Sequence, residues 1–207
     1  MSAVSVVRRR LAGDFEVDEW GFDADAVAAF SSVFGLRWSI EVSGAALLAQ
    51  SGPALLVYNR RFGSSEPFVA ARAVRLETGR QVRVAGAPDL PVVGPVLRRL
   101  GAVLHQPDEI ASVLRAGHVV AVGLGRTPSH RSAAGVVDVG SIAEARRLGA
   151  PVHPVGLIGH EHRRHWRVAI GADMGSDWNG REPDDPDVAE AVRTAVAGLI
   201  GAGRAGK

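Results

Sequence analysis

Short apolar runs alternate with helix-like segments along this chain, and this alternation limits the folds it can adopt more than any other feature. The run Ala54–Tyr58 is apolar throughout and follows a Gly-Pro turn dipeptide. A strand that is apolar on both faces must be covered on both faces, which is typical of a parallel strand inside a sheet. The next segment, Glu66–Thr78, has Pro67 in its first turn and Gly79 after its end, so it predicts a helix.

The same alternation continues on both sides of this unit. A helix at 23–34 and a half-buried strand at 37–43 precede it. After it the sequence predicts strands at 81–85, 102–104, 118–122, 151–158 and 166–172, and helices near 95–100 and at 108–116, 141–148 and 184–203. Because helices separate most of the strands, we expect a single α/β domain over residues 1–207, with a mostly parallel central sheet flanked by helices.

Composition excludes several kinds of site. The chain has no Cys, which rules out disulfides, thiolate metal sites and a Cys nucleophile. No run approaches the roughly 20 apolar residues that span a bilayer, and residues 1–10 lack the apolar stretch of a signal peptide. We therefore expect a cytoplasmic location, with any membrane contact limited to peripheral binding at the inner face of the plasma membrane.

Arginine supplies almost all of the positive charge, since Lys207 is the only Lys among 24 basic residues. Many of these Arg residues stand in groups, at 8–10, 60–61, 98–99, 146–147 and 163–167. Such groups are either solvated surface or sites for phosphates, which the planar guanidinium binds well. Aromatic residues make up only 5% of the chain, which disfavours base stacking, so we expect an anionic membrane surface and no nucleic acid as partner.

A resemblance to a known family begins in residues 89–103, which read DLPVVGPVLRRLGAV. This segment resembles the PlsC-like acyltransferases of glycerolipid synthesis. In that family a buried strand ends in Asn-His-x-x-x-x-Asp, a Pro-Val-x-Gly segment leads into a Gly, a later strand ends in Phe-Pro-Glu-Gly, and a Val-Pro-type strand follows. The corresponding segments here come in the same order, at 55–59, 90–101, 119–126 and 150–155.

Residues 18–23, which read DEWGFD, also resemble the N-terminal segment of an actinobacterial branch of this family. The resemblance covers about residues 15–175 and implies a glycerol-phosphate acyltransferase-like fold. It also implies acyl-CoA or an acyl carrier protein thioester as co-substrate, with no cofactor. In the family the motif His is the general base toward a glycerol hydroxyl, and the Asp orients that His.

This sequence departs from the family at the catalytic positions. Asn59 is kept, but Arg60 stands at the His position and Ser65 at the Asp position. Arg cannot give up its proton near neutral pH, so it cannot act as a base. The segment 122–126 has no carboxylate where the family has Glu, and 101–107 lacks the phosphate-binding Arg. The family resemblance therefore implies a catalytically degenerate protein with no intact catalytic residue.

Such a protein is expected to bind a phospholipid or acyl ligand, or an active acyltransferase partner, at the membrane surface. The candidate substrate-binding residues are Asn59, Arg60, Arg61, Gly123, Gly125 and Arg126. The alternative is an active acyltransferase that acts on a glycerol-phosphate or glycolipid acceptor through substitute groups. The substitutes that the sequence offers are Glu66, His105 and His130.

Two further segments have more than one interpretation. Residues 160–165 read HEHRRH, but their spacing and their Arg neighbours disfavour a metal site, so no metal is expected. Residues 90–104 are apolar with Arg98 and Arg99 together. They suit either an amphipathic element on a membrane surface or packing against the core.

Overall fold

A seven-stranded sheet forms the centre of the computed structural model. The structure describes residues 8–9, 12–13, 16–60, 65–91, 93–125, 134–159, 164–178 and 180–205. The strands are β1 (Ser39–Ser43), β2 (Ala54–Tyr58), β3 (Val82–Ala85), β4 (Ala102–Val103), β5 (Val119–Gly123), β6 (Val152–Ile158) and β7 (His165–Ile170). The helices are α1 (Ala24–Arg37), α2 (Glu66–Thr78), α3 (Val93–Arg99), α4 (Pro107–Arg115), α5 (Val139–Arg147) and α6 (Pro186–Ala205), with short 3-10 turns at Ala45–Leu47 and Gly175–Trp178.

The strands lie in the order β1-β7-β6-β2-β5-β3-β4. Strands β6, β2, β5, β3 and β4 run parallel to one another. Strand β7 is antiparallel to β6, and β1 is parallel to β7, so these two reverse the direction at one edge. The described chain is thus one α/β domain with a mostly parallel sheet, which confirms the predicted fold class.

Strand β2 lies between β5 and β6, and all five of its residues are buried. Its alternate side chains belong to two separate cores, because successive residues of a strand point to opposite faces. Leu55 and Val57 join the core beneath α4, α5 and α6, whereas Leu56 and Tyr58 join the core beneath α2. The continuous apolar run therefore reflects a strand that is covered on both faces, as its sequence predicts.

The predicted elements are confirmed, and local contacts explain several of their ends. The Asp23 Oδ1 atom accepts a hydrogen bond from the Ala26 N–H at 2.8 Å and so caps α1. Pro67 lies in the first turn of α2, and Gly79 ends that helix with a φ of 71°, a conformation that suits glycine. The ambiguous segment 90–104 forms α3 followed by β4.

The N-terminal segment 18–23 surrounds a buried cation. Arg83 on β3 is 2% exposed, and its Nη2 atom donates a hydrogen bond to the Asp18 carboxylate. The Phe22 ring centroid lies 4.0 Å from the Arg83 Cζ atom, and Asp18 Oδ1 also accepts from the Phe22 N–H at 2.9 Å. Burial lowers the pKa of the Arg83 guanidinium, and the Asp18 carboxylate opposes this shift. Asp18 in this segment therefore compensates the charge of Arg83, which is buried within the sheet.

Replacing Asp18 with Ala should lower the free energy of unfolding by about 2 kcal/mol, because it leaves the Arg83 cation buried without its anion. This value is below that for a fully buried pair, since the Asp18 side chain is 30% exposed. Urea denaturation followed by circular dichroism measures the change. The exposed Glu16→Ala should have little effect, and adding Arg83→Met to Asp18→Ala should recover most of the loss. If Asp18→Ala and Glu16→Ala lowered the free energy of unfolding equally, this account would be wrong.

Candidate functional site

The carboxyl ends of the parallel strands bring the candidate residues to one edge of the sheet. Asn59 and Arg60 follow β2, Gly86 follows β3, and Gly125 comes two residues after the end of β5. In register, Tyr58 at the end of β2 lies beside Gly123 at the end of β5. Ligands of open α/β sheets bind at this edge, where loops and helix N-termini converge.

Asn59 fixes the direction in which the chain leaves β2. Its Nδ2 atom donates to the Leu157 carbonyl at 3.0 Å, and its Oδ1 atom accepts from the Leu157 N–H at 2.7 Å. The residue is 3% exposed, so these two bonds join the ends of β2 and β6 inside the protein. They give Asn59 a structural role, and its predicted contact with a substrate stays a prediction.

Arg60 extends across the end of β5, over Gly123. A Cβ atom on Gly123 would overlap the Arg60 Cδ atom and would lie 2.7 Å from the Arg60 Cγ atom. At Gly86, a Cβ atom would lie 3.8 Å from the Arg60 Nη1 atom. The absence of a side chain at Gly123 therefore makes the room that the Arg60 side chain occupies.

Three buried polar atoms around Arg60 have no hydrogen-bond partner among the described residues. They are the Tyr58 hydroxyl, the Arg60 Nε atom and the Glu66 Oε2 atom. Tyr58 is fully buried and Glu66, at the start of α2, is 2% exposed. Burial raises the pKa of Tyr58 well above its usual value. The Arg60 cation opposes this shift, and Glu66 adds to it. Two donors and one acceptor are thus left without partners at this edge.

An apolar cavity of about 170 Å³ extends from Arg60 between α2, α3 and strands β3 and β4. Its other lining residues are Pro67, Phe68, Ala71, Val84, Ala85, Gly86, Ala87, Leu97, Leu100 and Ala102. Among the described residues, Arg60 is the only charged residue in this lining. The shape and chemistry fit an apolar chain that carries an anionic group at one end.

Arg60 and Ser65, which the sequence resemblance places at the positions of the family's catalytic pair, both lie at this edge. Ser65 stands at the N-cap of α2 and is 6% exposed, but its side chain does not cap the helix. Its carbonyl accepts a hydrogen bond from the Val69 N–H at 2.9 Å. Neither a guanidinium nor a serine hydroxyl can reproduce an imidazole that a carboxylate orients.

His105 contacts a carboxylate that the sequence analysis did not single out. The His105 Nε2 atom lies 3.0 Å from Asp138 Oδ2 and 3.5 Å from Ser141 Oγ. Asp138 also caps α5 by accepting from the Gly140 N–H at 3.2 Å and the Ser141 N–H at 3.1 Å. The hydrogen bond with His105 holds the pKa of Asp138 well below its usual range. Burial raises this pKa, and the hydrogen bonds from Ser141 lower it further.

This cluster differs from a Ser-His-Asp triad. In a triad the His bridges the other two residues through its two different nitrogens. Here the same Nε2 atom faces both partners, and the Ser141 hydroxyl donates directly to Asp138. Ser141 is fully buried. The His105 and Asp138 side chains are about one third exposed, so this pair, unlike Ser141, can meet a ligand.

Several candidates fall outside the described residues. These are Arg61, Arg126, His130 and residues 160–163. Gly125 is described, and its N–H donates to the carbonyl of Val136, in the segment that leads into α5, at 2.8 Å. His165 lies on β7, with its Nε2 atom 3.4 Å from Glu41 Oε2. Within the described ranges, no three His, Asp or Glu side chains come together as they would around a metal ion.

Sequence reasoning missed Tyr58 and Asp138 as members of this edge. A polar-tipped residue at the end of an aliphatic run is a weak signal for Tyr58. Asp138 lies three residues before the predicted helix at 141–148 and is the N-cap of the observed α5, and an Asp just ahead of a helix is a signal that the sequence contains. Nothing in the sequence indicates that Asp138 would also meet His105.

Comparison with known proteins bears on the fold. No family model matches the chain. Uncharacterized proteins of Mycobacterium tuberculosis and Mycobacterium leprae are each 31% identical over 175 residues, covering 75% of this chain. The chain spans about half the length of these curated relatives, at 48% and 47%.

A crystal structure gives the decisive likeness. The 1-acyl-sn-glycerophosphate acyltransferase PlsC of Thermotoga maritima superposes with a TM-score of 0.62, covering 98% of this chain and 89% of that protein. The chain has a PlsC-like fold. The sequence identity is 14%, so the PlsC-like fold is shared while the chemistry must be argued from this chain's own residues.

The PlsC-like fold here contains no membrane-spanning helix within the described residues. None of the described helices, including the 20-residue α6, combines the length and the apolarity that crossing a bilayer requires.

The charge on Asp138 should make the free energy of unfolding depend on pH in the acidic range. An Asp carboxylate has a pKa of about 4 in the unfolded chain. When folding lowers that pKa, the charged carboxylate stabilises the folded state at every pH above about 4, and this stabilisation is lost as the pH falls toward the pKa of the folded state. We expect Asp138→Asn, which keeps the helix cap, to be about 1 kcal/mol less stable at neutral pH, since solvent screens a side chain that is 36% exposed. The difference should shrink below pH of about 4.

Urea unfolding of both proteins across a pH series measures this dependence. The exposed Asp184→Asn serves as control and should follow the wild-type curve. A stability difference that stays constant into strong acid would show that charge on Asp138 is not its source.

Proposed function

We propose that this protein is a catalytically degenerate relative of the PlsC acyltransferases that binds an anionic, single-chain lipid at a membrane surface. The observation that supports this most is the position of Arg60, which stands at the family's catalytic His position and at the head of an apolar cavity. The acyl chain lies in the cavity and the anionic group binds the guanidinium.

The chemistry of Arg60 argues against family-type catalysis. A general base must take up a proton near neutral pH, and a guanidinium stays protonated there. Ser65 offers no charge to orient a base, and no His stands four or five residues before the neighbouring Glu66. The same features suit binding, because a permanent cation attracts carboxylates and phosphates at any physiological pH.

The unpaired polar atoms at the sheet edge indicate what the ligand head carries. Arg60 Nε and the Tyr58 hydroxyl are donors that an anionic oxygen would satisfy, and Glu66 Oε2 is an acceptor that requires a donor. Of these three residues, Arg60 is the one that lines the cavity, so the anionic group of the head would bind there. Leaving these polar atoms buried and unpaired costs free energy, so a matching ligand is favoured.

Two predicted partners remain proposals. Acyl-CoA or an acyl carrier protein thioester would deliver the same apolar chain to the cavity. An active acyltransferase partner would explain retention of the fold without its catalytic residues.

Removing the guanidinium should weaken binding of charged ligands only. We expect Arg60→Gln to bind a long-chain fatty acid on the order of tenfold to a hundredfold more weakly, the value of a charge-assisted hydrogen bond. Binding of the fatty alcohol of equal length should hardly change. Isothermal titration calorimetry with both ligands measures the contrast, and the exposed Arg115→Gln is the matched control. Equal weakening for both ligands would indicate that Arg60 acts by packing alone.

Gly123→Ala tests the same site without changing its charge. The new methyl group would overlap Arg60 Cδ, so the side chain must move from its place over β5. Fatty acid affinity should fall while the protein stays folded. Gly198→Ala on α6 meets no atom within 4 Å and should leave binding unchanged.

The contact between His105 and Asp138 favours a second candidate function, an active acyltransferase with a different base. Asp138 would hold the Nε2–H of His105, leaving Nδ1 to take the proton of an acceptor hydroxyl. The hydroxyl oxygen would attack the thioester carbonyl, the carbon–sulfur bond would break, and the thiolate would receive the proton.

An acyl-transfer assay separates the two candidates. We expect no transfer from acyl-CoA to glycerol phosphate or lysophosphatidic acid by the wild-type protein, because the motif base is absent. The double variant Arg60→His with Ser65→Asp supplies a base and its carboxylate and should give the first detectable product. Robust wild-type turnover that His105→Gln abolishes would overturn the degenerate assignment and support the second candidate.

A further inference from the structure

Helix α3 carries an apolar stripe that continues from the cavity wall to the protein surface. Positions 93, 96 and 97 share one side of the helix, since they are three or four residues apart. Leu100 directly follows the helix, and its N–H donates to the Leu97 carbonyl at 3.0 Å. Leu97 and Leu100, at the carboxyl end of the stripe, line the cavity beside Arg60. Val93 and Val96, at its amino end, are 46% and 54% exposed.

Leu90 extends this exposed surface and is held close to the helix. Its carbonyl accepts a hydrogen bond from the Gly94 N–H at 2.9 Å. A Cβ atom on Gly94 would lie 2.9 Å from the Pro88 carbonyl oxygen, so the preceding turn sits tightly against α3. Leu90 is 54% exposed. We call Leu90, Val93 and Val96 the α3 patch.

We propose that the α3 patch inserts into the surface of a lipid bilayer and that an acyl chain passes along it into the cavity. This inference rests on the proposed function, because it assigns a route to the same ligand. A chain that moves along the stripe stays against apolar side chains from the membrane to the cavity. It would not have to cross water, which costs about 0.8 kcal/mol for each exposed methylene group.

The size of the patch favours a lipid surface over a protein partner. A stable protein interface buries about 800 Å² on each side and involves roughly 20 residues or more. The α3 patch consists of three large apolar side chains on a short helix and its preceding turn. Reversible binding to a bilayer instead scales with the buried apolar area and with the attraction to anionic lipids, so it does not require an area of that size. The exposed large apolar residues that flank the cavity thus match the way a peripheral protein meets a membrane.

The experiment measures co-sedimentation with vesicles made of equal parts phosphatidylcholine and phosphatidylglycerol. We expect Val93→Asp and Val96→Asp each to weaken vesicle binding on the order of tenfold, the value of burying one aliphatic side chain. Both residues are exposed, so the variants should keep the wild-type unfolding midpoint. Leu76→Asp on α2 is the matched control, because Leu76 is 55% exposed but lies outside the patch. It should bind vesicles as the wild type does.

Two results would overturn the inference. One is equal vesicle binding by all three variants and the wild type. The other is a dimer in the wild type that dissociates in the patch variants, since the patch would then be an interface between two copies.

A soluble binding assay keeps the two proposals distinguishable. Binding of a dissolved monomeric fatty acid should be unchanged in the patch variants, because Val93 and Val96 do not line the cavity. A different outcome is that the wild type fails to bind the dissolved fatty acid while the patch variants still lose vesicle binding. That result would contradict the proposed function but would support membrane binding by the α3 patch.

Discussion

The position of β2 in the middle of the sheet determines the rest of this structure. It pairs with β5 and β6, and its side chains fill both cores, so its geometry is constrained on four sides. Asn59 extends this constraint one residue further by bonding both polar groups of Leu157. The chain can leave the sheet only after Asn59, which puts Arg60 at the edge where the ends of β3 and β5 also arrive. The site is therefore a consequence of the core.

This arrangement separates two kinds of requirement that one sequence must meet. Packing requires apolar residues of suitable size in β2 and β5, together with turn residues at the strand ends, and those are present. At positions 60 and 65, where the resemblance to the family places its catalytic His and Asp, this chain has Arg and Ser. A fold can persist without its chemistry because the two requirements fall on different residues. A PlsC-like fold is thus compatible with Arg at position 60 and Ser at position 65.

The sequence predicts the elements well because their signals are local. Fully apolar strands such as β2 and the Gly79 stop depend on neighbouring residues, and the structure has both. The site is harder to predict because its contacts join distant positions. His105 and Asp138 are 33 residues apart, and nothing in either segment encodes their meeting. The segment 90–104 illustrates a third case, in which packing against the core accounts for only part of the segment. One end of its apolar stripe faces the cavity and the other is exposed.

The close approach of Arg60 to Gly123 has a consequence for how this site can change. The guanidinium arm fills space that exists only because position 123 has no side chain. A smaller residue at position 60 would leave that space empty, and a larger residue at position 123 would displace the arm. Each change alters the effect of the other, so mutations at the two positions should be strongly non-additive. Positions 60 and 123 therefore behave as one structural unit, although 62 residues separate them in the chain.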